Sequence, residues 1–210
     1  MQRLMIIGGT FNPIHNGHLK AAVELEKMYH PDRLVFVPTG TPPHKRMGQD
    51  YVPGEMRLEM TRQALERFPN YRVSDVEVLR GGKSYTIDTL EHVRTRWPGY
   101  HIYLVMGSDM LLSFEEWHRF RDIFPLCTIV AASREKAGRP VLEKAAQRYR
   151  QLYGADIDVV DVDPVEISST EVRQMLREGK DVSELIPAGA LQYIQQHHLY
   201  VGRDDGKEQK

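Results

Sequence analysis

Leu4-Met5-Ile6-Ile7-Gly8-Gly9-Thr10-Phe11-Asn12-Pro13-Ile14-His15-Asn16-Gly17-His18-Leu19 is the stretch from which the fold is read. Four apolar residues in a row, Leu4 to Ile7, suit a strand buried on both faces, as parallel sheets require. The glycine pair ends that strand, and helical spacing begins at Leu19, with Ala22, Val23 and Leu25 continuing it. Glycines at such a turn let backbone N–H groups approach an anion closely. If the helix starts at Asn16, His18 lies in its first turn, where unpaired N–H groups and the macrodipole attract negative charge. A strand, a glycine turn and two histidines at a helix start together make a phosphate site. The spacing of His15 and His18 would also suit a metal pair, but no third ligand or His-Glu-x-x-His pattern accompanies it, so no metal residue is assigned.

Outward from this stretch the same alternation recurs. Apolar, β-rich runs lie at Leu4–Ile7, Arg33–Val37, Arg72–Val78, Ile102–Met106, Leu126–Ala131 and Ile157–Val162. Helical spacing separates most of them: Met56, Met60, Ala64 and Leu65; Ile87, Leu90 and Val93, stopping at Trp97-Pro98-Gly99; then Val141–Leu152, Val172–Leu176 and Ala190–Ile194. The expected fold class is therefore α/β, a Rossmann-like doubly wound parallel sheet with helices on both faces. Ligands of such sheets bind beyond the carboxyl ends of the strands. One domain over residues 1–201 and a polar, frayed tail over 202–210 are expected. The stretch Pro38–Gly54 holds four prolines, three glycines and His44-Lys45-Arg46, which favours a functional loop.

A second anion signal stands near the other end, Ile167-Ser168-Ser169-Thr170-Glu171-Val172-Arg173. Ser168 with Glu171 fits a capping box. Arg173 is not needed for capping, and a cation in the first turn, where the dipole disfavours it, is sensible if an anion arrives to compensate it. Its guanidinium fork matches a phosphate. Met106-Gly107-Ser108-Asp109 follows the fourth apolar run, where a carboxylate could accept from ribose hydroxyls or simply cap a helix. Ser84-Tyr85-Thr86 precedes a helix and could turn backbone amides toward a carboxylate, with capping as the plainer role. Trp117, in Phe114-Glu115-Glu116-Trp117, could stack on a flat ring or pack in the core. Gly82-Lys83-Ser84 looks like the end of a P-loop, but Glu77 occupies the position of its first glycine, and Gly-x-Gly-x-x-Gly is absent from the first turn.

Composition narrows the partners. The 210 residues are 41% hydrophobic and carry a net charge of −1, with no basic excess of the kind a nucleic-acid binder shows and no run of apolar residues long enough for a membrane span. The single cysteine, Cys127, rules out an internal disulfide and reads as buried. A small-molecule partner and a cytoplasmic location are the expectations.

These motifs together resemble the bacterial nicotinate-mononucleotide adenylyltransferase family, in the nucleotidyltransferase superfamily that carries His-x-Gly-His. The likeness runs through Gly8 to Leu19, Pro42-Pro43-His44-Lys45, Ser84 to Leu90, Met106 to Asp109, Phe114 to Trp117, Ile167 to Arg173 and Pro187…Tyr193-Ile194…Leu199-Tyr200. Many members have Asp where this chain has Asn12, so Asn12 is given no catalytic role. The resemblance implies transfer of AMP from ATP to nicotinate mononucleotide, giving deamido-NAD and pyrophosphate. It also implies His18, His15, Arg173 and Lys45 as catalytic residues. ATP would be held by Gly9, Thr10, Phe11, His15, His18, Gly107, Asp109, Ser168, Ser169 and Arg173. Nicotinate mononucleotide would be held by Lys45, Ser84, Tyr85, Thr86, Trp117 and Arg134. Mg2+ would arrive on the ATP phosphates, and a homo-oligomer is compatible with the family. The alternatives are an adenylyltransferase acting on nicotinamide mononucleotide or phosphopantetheine, and a non-catalytic nucleotide sensor.

Overall fold

The computed structural model describes residues 1–42, 48, 50–133, 138–163 and 167–201. Six strands form one sheet: β1 (Arg3–Gly9), β2 (Arg33–Pro38), β3 (Tyr71–Val73), β4 (His101–Gly107), β5 (Thr128–Ser133) and β6 (Ile157–Asp161). Their order is β3-β2-β1-β4-β5-β6 and every pairing is parallel. β1 pairs with β2 and β4, Ile7 opposite both Phe36 and Val105. The order therefore reverses on either side of β1, and a crevice opens at the carboxyl ends of β1 and β4.

The alternation of side chains along β1 and β2 divides the core. Met5, Ile7, Leu34 and Phe36 pack on α1 (Asn16–Tyr29), α2 (Gly54–Leu65), α8 (Ser169–Arg177) and α9 (Ala188–Gln196) through Leu25, Met60, Val172 and Ile194. Leu4, Ile6, Val35 and Val37 face the other way, onto Leu90 and Val93 of α4 (Thr86–Arg96) and Leu142 and Ala146 of α7 (Arg139–Tyr153). This is the two-faced arrangement that the four-residue apolar run implies.

Two strand assignments need correction. Arg72–Val78 is not one strand: pairing ends at Val73, and a short helix, α3 (Val76–Arg80), follows. Ser74 N–H still donates to Phe36 O, but Asp75 leaves the extended region at ψ 3° and begins the helix. The fifth strand starts at Thr128 and not at Leu126, because Phe124-Pro125-Leu126 winds a 3₁₀ turn. Cys127 is buried between the two, and burial pushes its thiol up to about 12. Two further helices are short, α5 (Ser108–Leu112) and α6 (Phe120–Ile123). No helix among the described residues is long and apolar enough to cross a membrane.

Candidate active site

The helix α1 begins at Asn16 with His15 as its N-cap, so His18 is the third residue of the first turn. That turn contains no acidic residue, which leaves its positive end for a ligand. His15 is 2% exposed, whereas His18 is half-buried and reachable. The two imidazoles lie against each other with centroids 3.7 Å apart. His15 N–H donates to His18 Nδ1 at 3.2 Å. With Nδ1 an acceptor, a neutral His18 ring carries its proton on Nε2, which becomes a donor.

Phe11 fixes the other side of this ring. Its backbone is left-handed at φ 47°, an uncommon conformation outside glycine. Its buried ring meets His18 edge-on at 5.1 Å and Phe36 at 5.7 Å. The Phe11 ring is therefore turned into the core and away from the surface. Gly9 accommodates the ring: a Cβ there would stand 2.7 Å from Phe11 Cε1.

The start of α8 docks on the same turn. Ser169 Oγ donates to Pro13 O at 2.9 Å, and Arg173 Nη1 donates to Asn12 O at 2.8 Å. The two anion signals, about 150 residues apart in sequence, thus adjoin. The capping box is present: Glu171 N–H donates to Ser168 Oγ, and Ser168 N–H to Glu171 Oε2. Both serine hydroxyl protons are directed to protein acceptors, Glu171 and Pro13. What this helix start offers an anion is backbone amide and the guanidinium. Arg173 is the fifth helical residue and so lies just beyond the first turn where it was expected. It makes no ion pair among the described residues, and its Nε is buried without an acceptor there.

A cavity of about 250 Å³ opens beside this turn, on the α4 face of the sheet. Gly8, Gly9 and Thr10 line one side, Ser84, Tyr85 and Thr86 another, and Met110, Trp117 and His118 a third. Tyr85 is the extended residue before α4 and makes no side-chain cap, so capping is not the role of this segment. Trp117 follows a 3₁₀ turn (Phe114–Glu116) and packs on Phe114 at 5.0 Å while still lining the cavity. Gly107 caps α5, and the exposed Asp109 is its second residue, at the end of β4. Lys45 and Arg134 lie outside the described residues.

Sequence reasoning missed three residues here. Arg57, on α2, is fully buried and donates to Thr10 O (2.6 Å), Val52 O (2.8 Å), Gly40 O (2.8 Å) and Tyr51 Oη (2.8 Å). Its signal was available: it stands on the buried face of α2 with Met60, Thr61 and Ala64. Burial lowers its pKa. Glu77, on α3, is 8% exposed and also lines the cavity. Burial pushes its carboxyl up, against hydrogen bonding from Thr89. His118 packs on Tyr85, the ring centroids 4.4 Å apart and the planes tilted by 37°. Neither Glu77 nor His118 carries a pattern that would have marked it. Asn12, given no chemistry, is structural: Oδ1 accepts from Val52 N–H and Tyr200 Oη–H, and Nδ2 donates to Asp50 O.

Residues 6–175 match the cytidylyltransferase-like family, which makes the chain a nucleotidyltransferase by class. The probable nicotinate-nucleotide adenylyltransferases of Citrifermentans bemidjiense and Geobacter metallireducens are 36% and 37% identical to it. These matches cover 95% and 94% of this chain and 98% of each relative. The chain belongs to the nicotinate-nucleotide adenylyltransferase family. Its fold also matches the Plasmodium falciparum nicotinic acid mononucleotide adenylyltransferase complexed with NaAD. The TM-score is 0.76 at 17% identity, over 95% of this chain and 98% of that one.

Proposed function

We propose that this chain transfers AMP from ATP to nicotinate mononucleotide, releasing pyrophosphate and forming deamido-NAD, in NAD biosynthesis. The observation that carries the reading is the docking of Ser169 and Arg173 on the carbonyls of Pro13 and Asn12. It sets two helix starts and one guanidinium around a single turn, beside a cavity of a size for a pyridine ring.

The attacking group is a phosphate oxyanion and needs no enzymic base. The barrier is electrostatic, since two polyanions must meet while charge spreads at the α-phosphate, so positioning and preorganised donors do the work. His18 Nε2–H would donate to the α-phosphate, with His15 holding the ring. Arg173, with the first amides of α8 behind Ser168, would take the β- and γ-phosphates and the departing pyrophosphate. Gly9, Thr10 and Phe11 would supply backbone around the reacting groups, and Gly107 and Asp109 would contact the adenosine ribose. In the cavity, Trp117 would stack on the pyridine ring. The backbone around Ser84, Tyr85 and Thr86 would receive its carboxylate. Lys45 and Arg134 would neutralise phosphate on the acceptor side.

Mg2+ would arrive on the ATP phosphates and water, without a dedicated protein cage. The metal would neutralise phosphate charge there. A cytoplasmic enzyme working on small molecules, as a monomer or a homo-oligomer, fits this chemistry. The test is pyrophosphate release from ATP with nicotinate mononucleotide, nicotinamide mononucleotide and phosphopantetheine side by side. The reading expects the first to be used best. Release that is fastest with another acceptor, or ATP binding with no release, would replace it.

A further inference from the structure

We propose that Glu77 is a positioning residue for the acceptor mononucleotide, holding Thr89 of α4 while packing against Gly40, and so setting the Ser84–Thr86 backbone that lines the cavity. The inference rests on the reading of that cavity given above. Three segments from different parts of the chain meet around this residue. Thr89 Oγ1, in α4, donates to Glu77 Oε1 at 2.7 Å. The Ser84 hydroxyl is buried beside it without a hydrogen-bond partner among the described residues, and it and the Gly40 backbone N–H lie near enough to oppose the rise that burial causes in the carboxyl. The contact with the loop after β2 is tight: a Cβ at Gly40 would stand 2.3 Å from Glu77 O and 2.9 Å from Ser84 Oγ. Ser84 N–H donates to Thr41 O at 2.9 Å, so the loop and the lead-in to α4 are tied at two adjacent points.

The tie continues to the phosphate turn. Gly40 O accepts from Arg57 Nη2, and Arg57 Nη1 donates to Thr10 O. The Arg57 guanidinium and the Glu77 carboxyl, both buried, thus flank the Gly40 residue, one holding the turn that ends β1, the other holding the α4 side of the cavity. A neutral side chain would fill the space of Glu77 without the desolvation that raises its pKa. A carboxyl kept in a cavity wall at a desolvation cost is where a functional demand is looked for first.

Glu77→Gln keeps the size and removes the charge, so it separates positioning from packing. In pyrophosphate-release kinetics we expect the KM for nicotinate mononucleotide to rise about tenfold, the scale of one lost buried charge-assisted hydrogen bond. The KM for ATP should stay within about twofold and Tm should be unchanged or higher, since a raised carboxyl pKa marks a group that weakens the fold when ionised. Thr89→Val, which removes a donor to the carboxylate, should raise the same KM. An unchanged acceptor KM in Glu77→Gln would overturn the proposal. So would equal rises in both KM values with a lower Tm, which would mark general damage to the fold. If the wild-type protein uses a different acceptor, the functional reading fails, and the same comparison with that acceptor still decides the role of Glu77.

Discussion

Phe11 decides how His18 is presented. An imidazole at the third position of a helix could adopt several rotamers, but here it is held on one side by His15 and on the other by the Phe11 edge. The motif His-x-Gly-His was legible in the sequence; the ring that braces it was not, because a left-handed phenylalanine has no sequence signature. His18→Ala should lower kcat by about 10²–10³, the usual loss on removing one preorganised donor. Wild-type turnover at saturating substrates would remove His18 from the mechanism. Gly9→Ala tests the brace. Its Cβ would meet the Phe11 ring at 2.7 Å, and that ring, already wedged on His18 and Phe36, has little room to yield. Overpacking of about 1–3 kcal/mol and a lower kcat should follow. Gly8→Ala, with nothing within 4 Å of its Cβ, should leave Tm unchanged. Equal thermal melts for the two variants would show that the ring is not confined.

At the scale of elements, patterns that repeat were readable and exceptions were not. Helix α8 was legible because its capping box and its apolar positions agree. The strand expected over Arg72–Val78 failed because a β-rich composition, Val73, Val76 and Val78, cannot reveal that pairing stops after three residues and Asp75 turns the chain. The α8 cap also carries a pH signature. The Ser168 hydroxyl, then its backbone N–H, hold the Glu171 carboxyl below the usual range. A depressed carboxyl contributes stability that is present above its unfolded pKa and disappears as pH falls through the folded value. Ser168→Ala should thus lower Tm by about 2–4 °C at neutral pH, as for one lost N-cap. The difference from wild type should narrow as pH falls below the usual carboxylate range and Glu171 is protonated. Melts at pH 7 and pH 3.5 that differ by the same amount would mean that Glu171 takes no part in the cap.

Across the whole molecule, the doubly wound strand order follows from alternation and connection rules, so it could be anticipated; the docking of α8 on the turn after β1 does not, since α8 follows the edge strand β6. What closes the site could not be anticipated either, since it depends on single buried polar groups with partners far away in sequence. Tyr200 Oη–H reaches Asn12 Oδ1 at 2.8 Å across 188 positions, and Arg57 reaches Thr10 across 47. Arg57 makes the more demanding case. Burying a guanidinium is costly, and replacing a buried ion pair by apolar residues is often neutral or stabilising. Arg57, however, has no carboxylate partner among the described residues: its acceptors are three backbone carbonyls and a tyrosine hydroxyl. Arg57→Leu therefore leaves those carbonyls in place. Gly40 O keeps Tyr51 Oη–H as a donor, while Thr10 O and Val52 O each lose the bond from the guanidinium. At about 1.5–3 kcal/mol for each hydrogen bond to a charged group, the loss should exceed the gain from desolvation. Tm should fall by about 6–12 °C. Arg57→Lys, with one charged head in place of a fork, should recover only part of it. A melt for Arg57→Leu at or above the wild-type temperature would mean that desolvation dominates and that the turn at Thr10 is held by its neighbours alone.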